Sequence, residues 1–319
     1  MARQRIVLVG AGIMGSHHAR VISQSSEADL VALVDPFEEG GRRVASRWGA
    51  EWLPELPDLS DVDAVVVAAP TEHHRGIALD VLGTGTPLLI EKPVAADLGV
   101  TREIVAEADR RDIPLMCGFL ERYNPAVLTA ASIIEKPLHM SSVRHSPYAP
   151  RIRTGVAWDL LVHDVDLSLR FLGTEPATVS SSLGHFHPSS GADSEDVAEA
   201  VLGYSDGGVA HISASRVGQR KIRQITVYEL DRLVEIDLLR RDVTVYRHVS
   251  ENSADGEGRG YRQQTVIEIP ELTTSQEPLT AQFERFLSLA RGESDAAAER
   301  AGLLPAHVVV DRVLHGTPE

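Results

Sequence analysis

Two stretches of this chain carry side chains whose types and spacing could do chemistry: Ile90-Glu91-Lys92-Pro93, and Gly155 to Leu167 with Asp159, His163, Asp164 and Asp166. Lys92 follows the apolar run Pro87-Leu88-Leu89-Ile90, which reads as the end of a short buried strand, the place where open α/β sheets put their ligands. A lysine held there, with Pro93 fixing the exit, can aim an ammonium at a substrate oxygen and stabilise charge developing on it. The plain alternative is a Glu91–Lys92 ion pair on the surface. Asp159 and His163 stand four apart, so on a helix they share one face and can converge on one ligand. Leu160, Leu161, Val162, Val165, Leu167 and Leu169 surround them with apolar neighbours, among which unpaired acids are costly. The alternative is that Asp159 caps the helix and a backbone carbonyl satisfies His163. His and Asp at helical spacing could also ligate zinc or iron. A lysine that supplies the positive charge makes a metal unnecessary, and none is expected.

The elements that must position these groups alternate in the first part of the chain. The strand Arg5 to Val9 runs directly into Gly10-Ala11-Gly12-Ile13-Met14-Gly15, which opens a helical pattern through Ile13, His17, Ala19, Val21 and Ile22. Such glycines permit a tight turn and close approach of the backbone to a pyrophosphate, for which the helix N-terminus supplies oriented N–H groups. A second strand, Leu30 to Val34, ends in Asp35, twenty residues after Gly15. A carboxylate there accepts from ribose hydroxyls and repels a 2′-phosphate, which argues for NAD; Arg42 and Arg43 keep NADP open. The plain alternative for Asp35 is a turn residue before Pro36. Helices over Phe37 to Arg47, Glu72 to Leu82 and Leu98 to Arg111 (N-cap Asp97), with strands Ala64 to Ala68 and Pro114 to Gly118, complete a parallel, doubly wound sheet.

After Gly118 the pattern changes. A helix runs to about Glu135, and strands follow at Leu138 to Ser146, Ala177 to Leu183, Ala198 to Tyr204, Gly208 to Ser215, Ile222 to Glu229, Leu233 to Leu238, Val243 to His248 and Gln264 to Ile269. Turns such as Ser205-Asp206-Gly207-Gly208 imply antiparallel hairpins. The fold class is therefore α/β: a Rossmann sheet over residues 1–119, then an α+β domain over 120–319 with an open, mostly antiparallel sheet. Pro278 to Leu289 and Ala296 to Leu314 read as helices, the last of which can pack back on the first domain. Ser250 to Gly260 reads as a mobile hairpin loop.

The chain resembles the glucose–fructose oxidoreductase, inositol dehydrogenase and rhizopine-catabolism family of NAD(P)-dependent sugar and polyol oxidoreductases. Gly10 to Gly15, Pro70-Thr71 with His74, and Glu91-Lys92-Pro93 carry the likeness in order and spacing. The resemblance implies that Lys92 contacts the reacting oxygen, in many members beside a cis peptide to proline. It places Gly10, Gly12, Ile13, Met14, Gly15, Asp35, Pro70, Thr71, His74, Glu91 and Lys92 on the cofactor. It makes His163 the proton acceptor, with Asp159 contacting substrate or orienting the histidine, and leaves Asp164 and Asp166 to helix structure. The branch most similar, through Glu121-Arg122-Tyr123-Asn124-Pro125 and the Asp159 segment, oxidises the 3-hydroxyl of UDP-linked N-acetylhexosamines. That adds Arg122, Asn124, Arg151, Arg153 and Trp158 to the substrate set. Trp158 stands where a smaller aliphatic is usual. Arg151 and Arg153 could grip a diphosphate by guanidinium forks, or be ordinary solvated loop residues.

Composition narrows the partners. At 319 residues and 43% hydrophobic content, two ordinary domains can each bury a core. No run approaches the ~18 apolar residues of a membrane span, and the N-terminus enters a strand with no signal pattern, so a soluble cytoplasmic protein is expected. The single cysteine, Cys117, fits a reducing compartment. A net charge of −15 without a basic cluster argues against nucleic acid. The family resemblance implies a homodimer or homotetramer through the second sheet. Three rival readings remain: a free sugar or inositol dehydrogenase, a ketosugar reductase of a secondary pathway, and an NAD-binding sensor. The presence of both Lys92 and His163 favours an enzyme.

Overall fold

The computed structural model describes residues 3–191, 194–253 and 260–316. Two compact units emerge: the chain up to Leu120 together with Pro278–Asp311, and Glu121–Glu277 together with the residues from Arg312 on.

The first unit opens with β1 (Gln4–Val9), α1 (Ile13–Gln24), β2 (Ala28–Val34), α2 (Glu38–Trp48), β3 (Glu51–Leu53), β4 (Ala64–Val67), α3 (His74–Thr84), β5 (Leu88–Ile90), α4 (Leu98–Arg111) and β6 (Leu115–Cys117). The sheet order is β3-β2-β1-β4-β5-β6, and every pair is parallel. Helices on both faces demand apolar strands on both faces. Ile6 to Leu8, Ala64 to Val67 and Leu88 to Ile90 are fully buried, each larger side chain worth roughly 1.5–3 kcal/mol of burial. Asp97 caps α4 by accepting from the Val100 N–H at 2.8 Å. The expected helix over 72–82 begins instead with a 3₁₀ turn, Thr71–His73, before α3. The short edge strand β3 has no counterpart among the strands expected from sequence.

The second unit contains α5 (Pro125–Ile133), β7 (His139–His145), a π-helical turn (Ala157–Leu161) leading into α6 (Val162–Leu172), and the strands β8 (Thr178–Gly184), β9 (Val197–Gly203), β10 (Val209–Ser215), β11 (Ile222–Tyr228), β12 (Leu233–Asp237), β13 (Asp242–Ser253) and β14 (Gly260–Glu268). They form one sheet in the order β14-β13-β12-β11-β7-β10-β9-β8. All neighbours are antiparallel except β7 and β10. The predicted turn at Ser205 to Gly208 joins β9 to β10, with Gly207 at φ +93°. The loop expected at Ser250 to Gly260 is strand up to Ser253, and its middle lies outside the described residues.

The C-terminal segment holds α7 (Pro278–Ala290), α8 (Ala296–Ala301) and α9 (Leu304–His315). The single helix expected over 296–314 is thus two. Gly302 ends α8, and Pro305, lacking an N–H, belongs to a first helical turn rather than an interior.

Candidate active site

The glycine loop is built for close approach. Gly10 sits at φ +105°, and a Cβ on Gly15 would lie 1.9 Å from the Gly10 carbonyl oxygen, so α1 starts against β1 only because both are glycine. Gly12 faces open space, and α1 begins after it with neither a side-chain cap nor an acidic residue in its first turn. Its N–H groups are therefore available to an anion such as a pyrophosphate, and the loop fits the dinucleotide. Exposed Ile13 and half-buried Met14 flank it. Asp35 is fixed at the end of β2: Oδ2 accepts from the Ala11 N–H at 2.7 Å and Oδ1 from Phe37 at 2.8 Å. Each oxygen keeps a lone pair for a ribose hydroxyl. Arg42 is turned to Glu38 at 2.8 Å and lies 4.4 Å from the centre of the Trp52 ring.

Lys92 emerges half-buried just beyond β5, and the Lys92–Pro93 peptide is cis. Thr71 is half-buried and Pro70 exposed in the connection after β4. Two residues expected on the cofactor face inward instead. The Glu91 carboxylate is buried, with Oε1 2.8 Å from Nε2 of His18 on α1. His74 is buried too: its Nδ1 lies 3.0 Å from the Pro93 carbonyl and its Nε2 3.0 Å from that of Ala69. Burial lowers the His74 pKa, against the opposing pull of the carbonyls of Ala69, Pro93 and Val94 and of Glu91. The helical pattern of the sequence includes His17, which is exposed, and passes over His18; nothing local marks a partner 73 residues away.

In the second unit, Asp159 and His163 are half-buried, one in the π turn and one in the first turn of α6. The Val162 N–H donates to Ala157 O, five residues back, so the segment is not the continuous α-helix expected; such π turns recur at functional sites. Glu195 braces its start: Oε1 accepts from the Ala157 N–H at 2.6 Å, and a Cβ on Gly155 would fall 2.1 Å from Oε2. The remaining acids are structural. Asp164 receives two hydrogen bonds from the fully buried Arg144 of β7, at 2.8 and 2.9 Å. Asp166 receives two from Arg122, at 2.9 and 2.6 Å.

Arg122, expected on substrate, is thus forked onto Asp166. Asn124, also expected there, is buried: it caps α5 through the Ala126 N–H and donates to Glu121 and to Leu238 O. Trp158 is buried in the π turn, whereas Arg151 and Arg153 are exposed in the loop after β7. Arg223 on β11 is an addition to the expected set. Burial and then Arg144 lower its pKa, opposed by Glu121, Asp164 and Asp159, which puts a guanidinium within the field of Asp159. Among the described residues no group of His, Cys, Asp and Glu could hold a metal ion, and no helix is long and apolar enough to cross a membrane.

A glycine-looped parallel sheet with a lysine at a strand end, followed by a second unit whose π turn and α6, set in sequence among the strands of a mixed sheet, carry an Asp/His pair, is the pattern of a nicotinamide-dependent oxidoreductase. Residues 4–119 match the oxidoreductase family with an NAD-binding Rossmann fold, and residues 133–229 match the GFO/IDH/MocA C-terminal domain. The chain belongs to this family of NAD-binding oxidoreductases. It is 29% identical over 250 residues to UDP-N-acetylglucosamine 3-dehydrogenase of Acidithiobacillus ferrooxidans, covering 77% of this chain and 78% of that one. It is 31% identical over 240 residues to inositol 2-dehydrogenase of Acidothermus cellulolyticus, covering 67% and 70%. A solved structure of the Acidithiobacillus enzyme superposes with a TM-score of 0.82 at 26% identity, over 99% of this chain and 100% of that one.

Asp35→Asn should shift coenzyme preference. It removes a charge that would accept from ribose hydroxyls and repel a 2′-phosphate, each effect worth about 1.5–3 kcal/mol. The ratio of kcat/KM for NADP to that for NAD should rise at least roughly tenfold. An unchanged ratio would show that Asp35 does not read the ribose.

Proposed function

We propose that this chain transfers hydride between NAD and a CH–OH carbon, the 3-position of a nucleotide-linked N-acetylhexosamine. The observation that carries this reading is the likeness, over nearly the whole of both chains, to a UDP-N-acetylglucosamine 3-dehydrogenase, joined to the presence here of Lys92, Asp159 and His163. The first unit takes the cofactor, at Gly10 to Gly15 and Asp35, and the second takes the sugar. NAD, when bound, supplies the hydride acceptor. His163, an imidazole whose ordinary pKa is near neutrality, takes the hydroxyl proton. Lys92 stabilises the alkoxide character with its ammonium, and Asp159 orients the histidine or the sugar. Arg151 and Arg153, exposed in their loop, grip the diphosphate, and Trp158 shapes the sugar site. Inositol or a free sugar is the second reading, favoured by the 31% identity to an inositol 2-dehydrogenase. The enzyme works in the cytoplasm as a homodimer or homotetramer. The solvent face of the eight-stranded sheet, where Val201, Val209 and Tyr228 stand exposed, supports the assembly.

The test is the absorbance of reduced nicotinamide when protein stripped of bound cofactor meets NAD and a panel of UDP- and TDP-sugars, free sugars and inositols. The reading expects a rise with UDP-N-acetylhexosamines alone. A rise with inositols or free sugars alone would replace it with the second reading. Silence in both directions of reaction despite NAD binding would make the chain a sensor.

A further inference from the structure

The four residues Glu91 to Val94 lie between β5 and α4, outside any regular hydrogen-bonded element, so their backbone groups need partners from elsewhere. Buried histidines on two helices of the same unit meet the backbone of Pro93 and Val94, and one on a third meets the Glu91 side chain. His18 on α1 holds the Glu91 carboxylate, whose Oε2 in turn accepts from the Lys92 N–H at 3.3 Å. A Cβ on Gly118 would lie 2.8 Å from that same Oε2, so the carboxylate is walled in as well as paired. His74 on α3 addresses the carbonyls of Pro93 and Val94, at 3.0 and 3.2 Å. His307 on α9 accepts the Val94 N–H on Nε2 at 3.1 Å. Its other nitrogen, Nδ1, lies 2.8 Å from Leu303 O, which assigns the ring as the neutral Nδ1–H tautomer, one face of the bridge accepting and the other donating.

Holding a strand end does not by itself call for three imidazoles in a dry interior, where each polar ring left unmatched costs about 1–3 kcal/mol. What the arrangement achieves is directional. His307 accepts at one nitrogen and donates at the other, His74 faces carbonyls, and His18 holds a carboxylate, so together the rings fix both edges of the Pro93–Val94 region and the side chain before Lys92. The backbone that carries the half-buried Lys92 side chain is thereby held from both sides.

We propose that His18, His74 and His307 are positioning residues that form a collar setting the Lys92 ammonium, with His307 as the member that fixes the segment after it. The inference rests on reading Lys92 as the group that stabilises the alkoxide.

The chain has only three lysines, Lys92, Lys136 and Lys221, so reductive ¹³C-methylation places a reporter on Lys92 with few others to resolve. Lys136→Arg and Lys221→Arg variants assign the signals. In the full-length protein saturated with NAD, His307→Leu should move or split the Lys92 methyl resonance and leave those of Lys136 and Lys221 in place. His307→Gln, whose Oε1 can accept from the Val94 N–H, should restore it. With the sugar that the panel identifies, His307→Leu should lower kcat on the order of 10- to 100-fold, as a misplaced catalytic group does, with NAD affinity within about twofold. A Lys92 resonance in His307→Leu coincident with wild type, or a His307→Gln protein as perturbed as His307→Leu, overturns the collar. If His307→Leu does not fold, His18→Leu and His18→Gln take its place: a shifted Lys92 resonance restored by glutamine supports the collar, and an unshifted or unrestored one overturns it. The resonance needs no substrate. An unaffected Lys92→Ala enzyme would instead refute the role of Lys92 itself, so the two failures are distinct.

Discussion

Lys92→Ala should cost on the order of 10²–10³ in kcat, the loss measured when one preorganised donor to a developing oxyanion is removed. The estimate follows from position and chemistry together. Lys92 follows β5, one of the most completely buried strands of the parallel sheet, and its flanking residues are pinned by buried side chains. Its ammonium therefore needs little reorganisation when charge builds on the substrate oxygen. NAD affinity should stay within about threefold, because the proposed pyrophosphate cradle at Gly10 to Gly15 and the proposed ribose contact at Asp35 follow β1 and β2 rather than β5. Lys92→Arg should recover little, since a planar fork cannot take the place of a compact ammonium on a flexible stem. Single-turnover kinetics beside calorimetric NAD titration would check this. An alanine variant within tenfold of wild type would remove Lys92 from the chemistry.

What the sequence discloses and what it withholds divide along one physical line. Gly10, Gly15, Asp97 and Lys92 are legible because their roles are local: a turn, a cap and a strand end lie within a few residues of the side chain that defines them. His18 and Glu91 are not, because their meaning lies in a bond spanning 73 residues. Glu195 escapes for the same reason, since the Ala157 N–H it accepts from is 38 residues away. The π turn is invisible because one extra residue per turn barely alters an apolar pattern read over a single segment. By contrast, the break between α8 and α9 is written in Gly302 and Pro305 and can be read there. Asp164 and Asp166 show the limit of inference from an acidic cluster. Their buried positions are evident, but the arginines that neutralise them come from β7 and from the segment before α5.

The second large effect is expected on stability rather than turnover. Arg144 is wholly buried and serves two carboxylates, donating twice to Asp164 and once to Glu121 at 3.0 Å. Burial depresses its pKa, yet Asp164 and Glu121 outweigh that and hold it above its ordinary value. Arg144→Leu leaves Asp164 at 1% side-chain exposure with its principal counter-charge gone, and should destabilise the fold by about 3–5 kcal/mol. Burial alone raises the Glu121 pKa, but Arg144, Asn124 and Arg223 together bring it below the ordinary carboxylate value. A carboxylate so depressed stabilises the fold above its unfolded pKa, and that contribution disappears as pH falls through the folded value. Without Arg144, burial turns the Glu121 carboxyl toward the protonated form, so the part of the deficit that Glu121 carries should be widest near neutrality and narrow as pH falls toward and through the ordinary carboxylate value of about 4.3. Adding Asp164→Leu to Arg144→Leu should recover part of the loss, since the worst term is the orphaned charge rather than the missing bond. Guanidinium denaturation of both variants at pH 7 and at pH 4 decides this. A double variant less stable than Arg144→Leu, or a single variant within about 1 kcal/mol of wild type, would mean that Arg144 is not what makes the buried acids tolerable.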